Sequence, residues 1–352
     1  MKSDIKPDYL KIGKIAAGAS LAIVIADGMG LNYSASAGVI TLLSIQDTRR
    51  ETIRVTVSRM ISFFVSLLIA AVSFRACGYR PLAVCVFLLL FTCFCVRFQM
   101  MEGLSVNTVL MTHFLGAQSM SGAQIGNEMM LLVIGTGMGV LFNLYIPGKE
   151  KQIKRTQRQV EEQMRQILRS MWLILGGAWQ KDASDEKQLN AALEGLDAEL
   201  VKGERSAFQE MENHFWSAAR KPYYLRYMNM RKAQQLVLLR LARHLRNIKT
   251  LPVQAQQIKA VMEQIEGSFH ECNNAEGLLK CLDEVKKGMK VQPLPKGREE
   301  FENRAVLYQI LLELEEFLMI KKEFADSLNE EEIRRFWKAA DEKFTDDEKK
   351  EE

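Results

Sequence analysis

The chain has 352 residues and carries 47 Lys+Arg against 43 Asp+Glu, a formal charge of +4. Residues 1–148 hold 11 of the bases and 7 of the acids, so the whole positive excess lies in an apolar first part; residues 149–352 carry 36 of each sign. A neutral, charge-dense half with interleaved signs has no basic stripe and gives no pull toward nucleic acid, so no nucleic-acid partner is expected.

Apolar segments recur at about residues 10–30, 33–46, 56–76, 81–98, 104–119 and 127–146. The first, third, fourth and sixth approach the ~20 residues that a helix needs to cross ~30 Å of hydrocarbon. The second and fifth are shorter, flecked with polar residues (Asn107, His113 and Gln118 in the fifth) and bounded by Gly/Ser clusters, SASAG and GAQSMSGAQIG. Such pieces persist at membrane depth only where protein or a water-filled cavity surrounds them. They are expected as spans held inside the bundle, with re-entrant half-helices as the alternative. The first segment runs to Ile25 without a small-residue cleavage site before a polar region, so no cleavable leader is expected.

Cations set the expected orientation. Lys2, Lys6, Lys11 and Lys14 precede the first segment, Arg49, Arg50, Arg54 and Arg59 follow the second, Arg97 follows the fourth, and Lys149, Lys151, Lys154, Arg155 and Arg158 follow the sixth. Loops rich in Lys and Arg stay in the cytoplasm. Six crossings with both termini cytoplasmic satisfy the pattern and place the C-terminal half in the cytoplasm. Thr48 and Glu51 match a capping box at the start of the third segment. The arginines there oppose the helix dipole, so topology with lipid headgroups, or a vestibule that attracts anions, must outweigh it. Gly135 and Gly139 form a GxxxG close-packing face in the sixth segment; GTGMG lacks the strand and spacing of a dinucleotide loop.

From Lys149 onward, apolar residues recur at three- and four-residue spacing and strand signals are absent. Breaks at Gly176–Gly177, Asp182–Asp185, Lys221–Pro222, Leu251–Pro252 and residues 291–297 divide this region into about seven helices, enough for an antiparallel bundle. MWLILGGAW is too short to span and belongs to the core of that bundle. The expected organisation is a transmembrane domain over 1–148, a cytoplasmic helical domain over 149–345 and a charged tail over 346–352; the fold class is all-α, a polytopic membrane bundle followed by a soluble one.

Cys77, Cys85, Cys93 and Cys95 lie in or beside apolar segments, where a thiol acts as a small hydrophobe. Cys272 and Cys281 have no second pair or ligand cluster, so neither a metal nor a cofactor is expected. His214 and His244 sit among aromatic and basic residues on soluble helices, and no nucleophile, base and orienting group can be placed together; catalytic residues and enzymatic activity are not expected.

The order of residues in LKIGKIAAGASLAIVIADGMGLNYSASAGVITLLSIQDTRRETIRVTVSRMISFFVSLLIA resembles the opening of the bacterial aromatic acid exporter family, related more distantly to fusaric acid resistance proteins. The shared features are a Lys-led first span, a short Ala/Gly second span ending in SIQDT, and a basic stretch with an arginine, here Arg59, opening the third. PYYLRYMNMRKAQQLVLLRLARHL is similar to part of the helical C-terminal domain of one branch of that family. Where relatives often carry glycine after that arginine, this chain has Ser62, Ser66 and Ala70.

The resemblance implies export of small aromatic carboxylates. An anion exporter driven by protons needs positive charge for its substrate and a titrating group within the bundle. The candidates are Asp27, Arg49, Arg59, Arg97, His113 and Glu128. Asp27 is also placed as an interfacial turn residue, His113 as a neutral imidazole central in its span, and Glu128 as a carboxylate opening the sixth helix at the outer face. The expected partners are a small organic anion, membrane lipid and further copies of the chain, because six spans make half a typical secondary transporter. The alternative is a membrane scaffold or sensor whose cytoplasmic domain binds a partner or small ligand.

Overall fold

The computed structural model describes residues 9–146, 148–177, 183–213, 223–248 and 250–337. Lys2, Lys6, Pro147, Asp182, Lys221, Pro222, His214 and the 346–352 tail fall outside them. Among the described residues the chain is all-helical. Its contacts divide into two compact units, residues 1–148 with 212–217, and residues 149–211 with 218–352.

The first unit holds α1 (Tyr9–Gly28), α2 (Ala35–Ser44), α3 (Arg49–Cys77), α4 (Pro81–Arg97), α5 (Met101–Ala117) and α6 (Gly122–Asn143). Three of them, α1, α3 and α6, are long and apolar enough to cross a membrane. The fourth segment, expected to approach that length, makes a helix of 17 residues, and α2 has only 10. Packing groups α1, α2 and α6 together, and α3 with α4 and α5. Small residues at four-residue spacing let the backbones approach. Gly18, Ala22 and Ala26 are buried along α1.

A Cβ on Gly135 would lie 2.5 Å from Ile40 Cβ and 2.8 Å from the Ala37 carbonyl oxygen, and one on Gly139 would lie 2.4 Å from Ser44 Cβ. The expected GxxxG face is thus the seat of α2. Ser62, Ser66 and Ala70 are buried, and Gly103 packs so closely on Ser62 that a Cβ there would come within 2.0 Å of its hydroxyl oxygen. Serine at these positions accordingly supports a tight contact between α3 and α5.

Side-chain bonds fix direction and register. Asn127 on α6 pairs with the Asn32 backbone ahead of α2, and Asn143 Nδ2 donates to the Gln46 carbonyl beyond it, 3.0 Å away. These two helices therefore run parallel. Thr48 caps α3 by accepting from the Glu51 amide at 3.2 Å. The Glu51 carboxylate instead stands 4.0 Å from the Arg54 guanidinium, a competing charge that the capping pattern did not consider.

The second unit holds α7 (Glu150–Leu175), α8 (Ala183–Asn213), α9 (Tyr223–Asn247), α10 (Ala255–Gly267), α11 (Glu276–Lys290), α12 (Arg298–Asp326) and α13 (Glu330–Glu332), the last running into a π-helical turn, Ile333–Trp337. The breaks expected at Leu251–Pro252 and 291–297 lie between helices, whereas the one at Asp182–Asp185 has closed by Ala183. A further break, residues 268–275, separates α10 from α11. There Asn273 bonds back to Ser268 and forward to Ala275, which takes a left-handed φ of 62°. Asparagine is a turn-former, and the pair Asn273–Asn274 was the available signal.

Leu189, Leu193, Leu196 and Leu200 line the buried face of α8, and Met171 and Leu175 of MWLILGGAW pack into the same core. Within this apolar interior lies an ionic network. Arg231, fully buried, donates to Glu161 at 2.9 Å, to the Tyr227 hydroxyl at 2.8 Å and to Gln234 at 2.8 Å, over the ring of Phe269. Nearby, Lys321 Nζ donates to the Glu271 carbonyl at 2.5 Å, and Tyr223 donates to the Glu271 carboxylate at 2.5 Å. Burial, reinforced by the Arg231 charge, lowers the Lys321 ammonium to about 7. Burial also raises the Glu271 carboxyl. Removing such charges from water costs several kcal/mol per ion before attraction repays it.

Two outcomes follow for unfolding of the full-length protein in detergent. Gly139→Leu and Gly135→Leu each lower stability by about 2–3 kcal/mol through overpacking, while Gly137→Leu, whose Cβ meets nothing within 4 Å, leaves it unchanged or slightly raised. For Lys321, the folded value of about 7 lies below the unfolded 10.5. The unfolded chain therefore holds the extra proton between these values, and stability rises with pH across that window. Lys321→Met removes the titration, so its melting-temperature advantage over the native protein is largest at pH 6 and narrows by pH 9. An advantage independent of pH would contradict the assignment.

Candidate functional site

A recess of about 370 Å³ opens where the link between α1 and α2, the end of α5 and the start of α6 meet. Asn32 and Tyr33 come from the link, His113 and Phe114 from α5, and Gln124, Asn127 and Glu128 from α6. Local chemistry sets each position. Tyr33 has a positive φ of 59°, which turns the chain from α1 toward α2. Gln118 ends α5 in a left-handed conformation. Ser121 and Gln124 form a full capping box that starts α6 five residues before the apolar run at Asn127.

Glu128 is therefore not at the helix opening, as the apolar pattern suggested, but more than a turn inside, and it is buried. Likewise, His113 lies toward the C-terminal end of α5 and not at its centre, because the helix begins at Met101. The two side chains meet: His113 Nδ1 and Glu128 Oε2 are 2.6 Å apart, with side-chain exposures of 12% and 3%. Glu128 Oε1 accepts from Asn127 Nδ2 at 3.1 Å, and the same amide donates to the Asn32 carbonyl at 3.1 Å. His113 Nε2 is 3.4 Å from the Ser36 hydroxyl. The Tyr33 ring stacks on the imidazole, centroids 4.1 Å apart and planes within 13°.

This arrangement tolerates both charge states of the imidazole. With Nδ1–H donating to the carboxylate, Nε2 accepts from Ser36; once protonated, Nε2–H donates to the same hydroxyl, which accepts as readily as it donates. A proton can be taken up or released without breaking either contact. Gln124 commits its carbonyl oxygen to the capping box, so its amide N–H groups remain to donate into the recess.

The other sequence candidates are not gathered here. Asp27 is exposed near the end of α1, and its carbonyl accepts from the Gly30 amide at 2.8 Å, a turn-forming role. Arg97 is exposed in the last turn of α4 beside the Phe98 ring. Arg49 begins α3 and reaches the Ile146 carbonyl at 3.5 Å. Arg59 is buried as a clamp: Nη1 donates to Ser44 Oγ at 2.6 Å, Nη2 to the Leu43 carbonyl at 3.0 Å and Nε to the Glu102 carbonyl at 3.0 Å. It closes the C-terminal end of α2, where a cation also matches the helix dipole. Tyr33, Ser36, Asn32 and Asn127 were missed by the sequence reading. For Asn32, Tyr33 and Ser36 the signal was the polar stretch NYSAS, of which only the SASAG part was read, as a boundary.

Two family descriptions match the chain: "Aromatic acid exporter family member 1" over residues 9–146 and "Putative aromatic acid exporter C-terminal domain" over residues 150–322. Among curated proteins, "Uncharacterized protein YqjA" of Bacillus subtilis (strain 168) is 28% identical over 315 residues, covering 88% of this chain and 94% of its own. A solved structure titled "Crystal structure of putative membrane protein from Clostridium difficile 630" aligns with 26% identity and a TM-score of 0.43 over 50% of this chain and 98% of that one. With matches running from the first helix through α12, and the short Ala/Gly second helix and the clamp arginine in place, this protein belongs to the aromatic acid exporter family.

Proposed function

We propose that the protein exports small aromatic carboxylates across the bacterial inner membrane, driven by the proton gradient, with His113 and Glu128 as the proton-handling pair. The observation that carries this reading is their buried 2.6 Å contact on the wall of the recess. Ionisable groups at membrane depth are costly and are kept where they move protons or bind ions. The recess, about 370 Å³, falls in the ~300–1,000 Å³ range of small-molecule sites. Its half-exposed Tyr33 ring offers a stacking face and the Gln124 amide a donor for a carboxylate. The activity is transport without covalent chemistry.

Six crossings with both termini in the cytoplasm fit the packing. Although α2 is short, Asn32 to Gln46 keep pace with Asn127 to Asn143 of α6, sixteen residue steps along α6 or about 24 Å of rise. This supports α2 with its flanks as a crossing enclosed by α1 and α6, in preference to a half-helix. Lys11, Lys14, Arg49, Arg50, Arg54 and Arg59 gather at the Ser44 end, which positive-inside logic places in the cytoplasm. The His113 recess then faces the outer, proton-rich side. The second unit, neutral and charge-dense, is a soluble helical domain in the cytoplasm, and the membrane unit works as a homo-oligomer that completes the usual helix number.

Full-length protein in liposomes should move labelled benzoate in response to a pH gradient. His113→Gln and Glu128→Gln should each slow it by about a hundredfold, the low end of what a lost proton-transfer group costs, while Arg97→Gln leaves the rate unchanged. Transport indifferent to both substitutions and to an uncoupler would refute the coupling.

A further inference from the structure

Many charges in the second unit are paired. Lys202 pairs with Glu199, Lys232 with Glu204, Arg240 with Glu313 and Glu316, and Lys286 with Glu315. A cluster without such pairing lies in the first three turns of α7. Lys151, Arg155 and Arg158, exposed and spaced four and three residues apart, share one helix face, and among the described residues none has a carboxylate within 4.0 Å. Neighbouring like charges at that spacing oppose one another by a few tenths of a kcal/mol. They line a groove of about 550 Å³ with Lys154, Gln159 and Gln163.

The two acids at the groove's edge do not neutralise it. Glu162 is held by Arg165 at 2.7 Å and Glu199 by Lys202 at 3.2 Å. The Gln163 carbonyl oxygen is buried without a partner. Unpaired cations and the Gln163 side chain thus line one groove.

The geometry points to a phosphate-binding groove on α7, in which Arg155 and Arg158 grip phosphate oxygens and Lys151 supplies a further positive charge. Guanidinium forks match phosphate oxygens in pairs, which favours this chemistry over a lone halide. The phosphate has two sources with shared chemistry: a free phosphate ester, or the headgroup of an anionic lipid, given that α7 starts seven residues after α6 ends and that basic clusters beside a membrane helix attract anionic headgroups. The groove is separate from the His113 recess, so this inference stands or falls independently of the transport reading.

The test uses the full-length protein and a Lys151→Gln, Arg155→Gln, Arg158→Gln triple variant, whose exposed side chains bear little on folding, with Lys287→Gln as a control outside the groove. In neutral detergent, inorganic phosphate is titrated and followed by phosphorus NMR. In nanodiscs, hydrogen exchange of residues 151–163 is compared between phosphatidylglycerol and phosphatidylcholine. Phosphate binding that weakens at least about tenfold in the triple variant but not in the control, and that fades with added salt, supports the groove and names a soluble ester as the source. No response to free phosphate, with protection in phosphatidylglycerol alone that the triple variant loses, supports it and names the lipid. Neither response, or a response the triple variant retains, overturns the proposal.

Discussion

The contact on which the first unit depends is the meeting of backbones between α2 and α6. Gly135 and Gly139 remove the side chains that would hold these helices apart, and Ile40 and Ser44 fill the space. In surroundings as apolar as the side chains themselves, water does not drive helices together, so close van der Waals packing and interhelical hydrogen bonds must. Once α2 is seated, its two ends are fixed. One end brings Tyr33 and Ser36 to His113; the other delivers Leu43 and Ser44 to Arg59. A ten-residue helix, marginal alone, is thereby made a rigid rod between the recess and the clamp.

Arg59 shows how a charge is kept in such a setting. Its three contacts are a hydroxyl and two carbonyls, not a carboxylate, and Glu102, which lends one of those carbonyls, pairs its carboxylate with Arg54 at 3.3 Å. The guanidinium is solvated by helix ends. It shares that end of the unit with Asn143, which bridges Gln46 and Thr52, and Asn107, which binds Ser62 and the Arg59 carbonyl. Side-chain donors at these crossings take over the bonding that bare helix ends and bends would otherwise lose.

Much of this was legible in the sequence. Period and composition located the helices, because burial enforces a 3.6-residue repeat, and the GxxxG pair marked a close approach, because only glycine permits one. The resemblance carried by the first span and by Arg59 agreed with the family matches. What was not legible was pairing across the chain. His113 and Glu128 were each singled out, yet nothing local announces that residues fifteen apart on different helices will touch. Glu128 was misplaced because an apolar run does not show where a helix starts; the capping box of Ser121 and Gln124 does. In the second unit, apolar periodicity anticipated the core but concealed the buried Arg231 and Lys321, since a long cationic side chain inside an amphipathic pattern reads as surface.

That concealed network bears on how the second unit responds to heat. The hydration of ions carries a strongly negative entropy, so the penalty for withdrawing Arg231, Glu161 and Lys321 from water lessens on warming, while the gain from apolar burial levels off. A core holding ions therefore loses less of its margin on heating than an all-hydrocarbon core of equal stability at 25 °C. Its resistance to unfolding is shifted toward higher temperature.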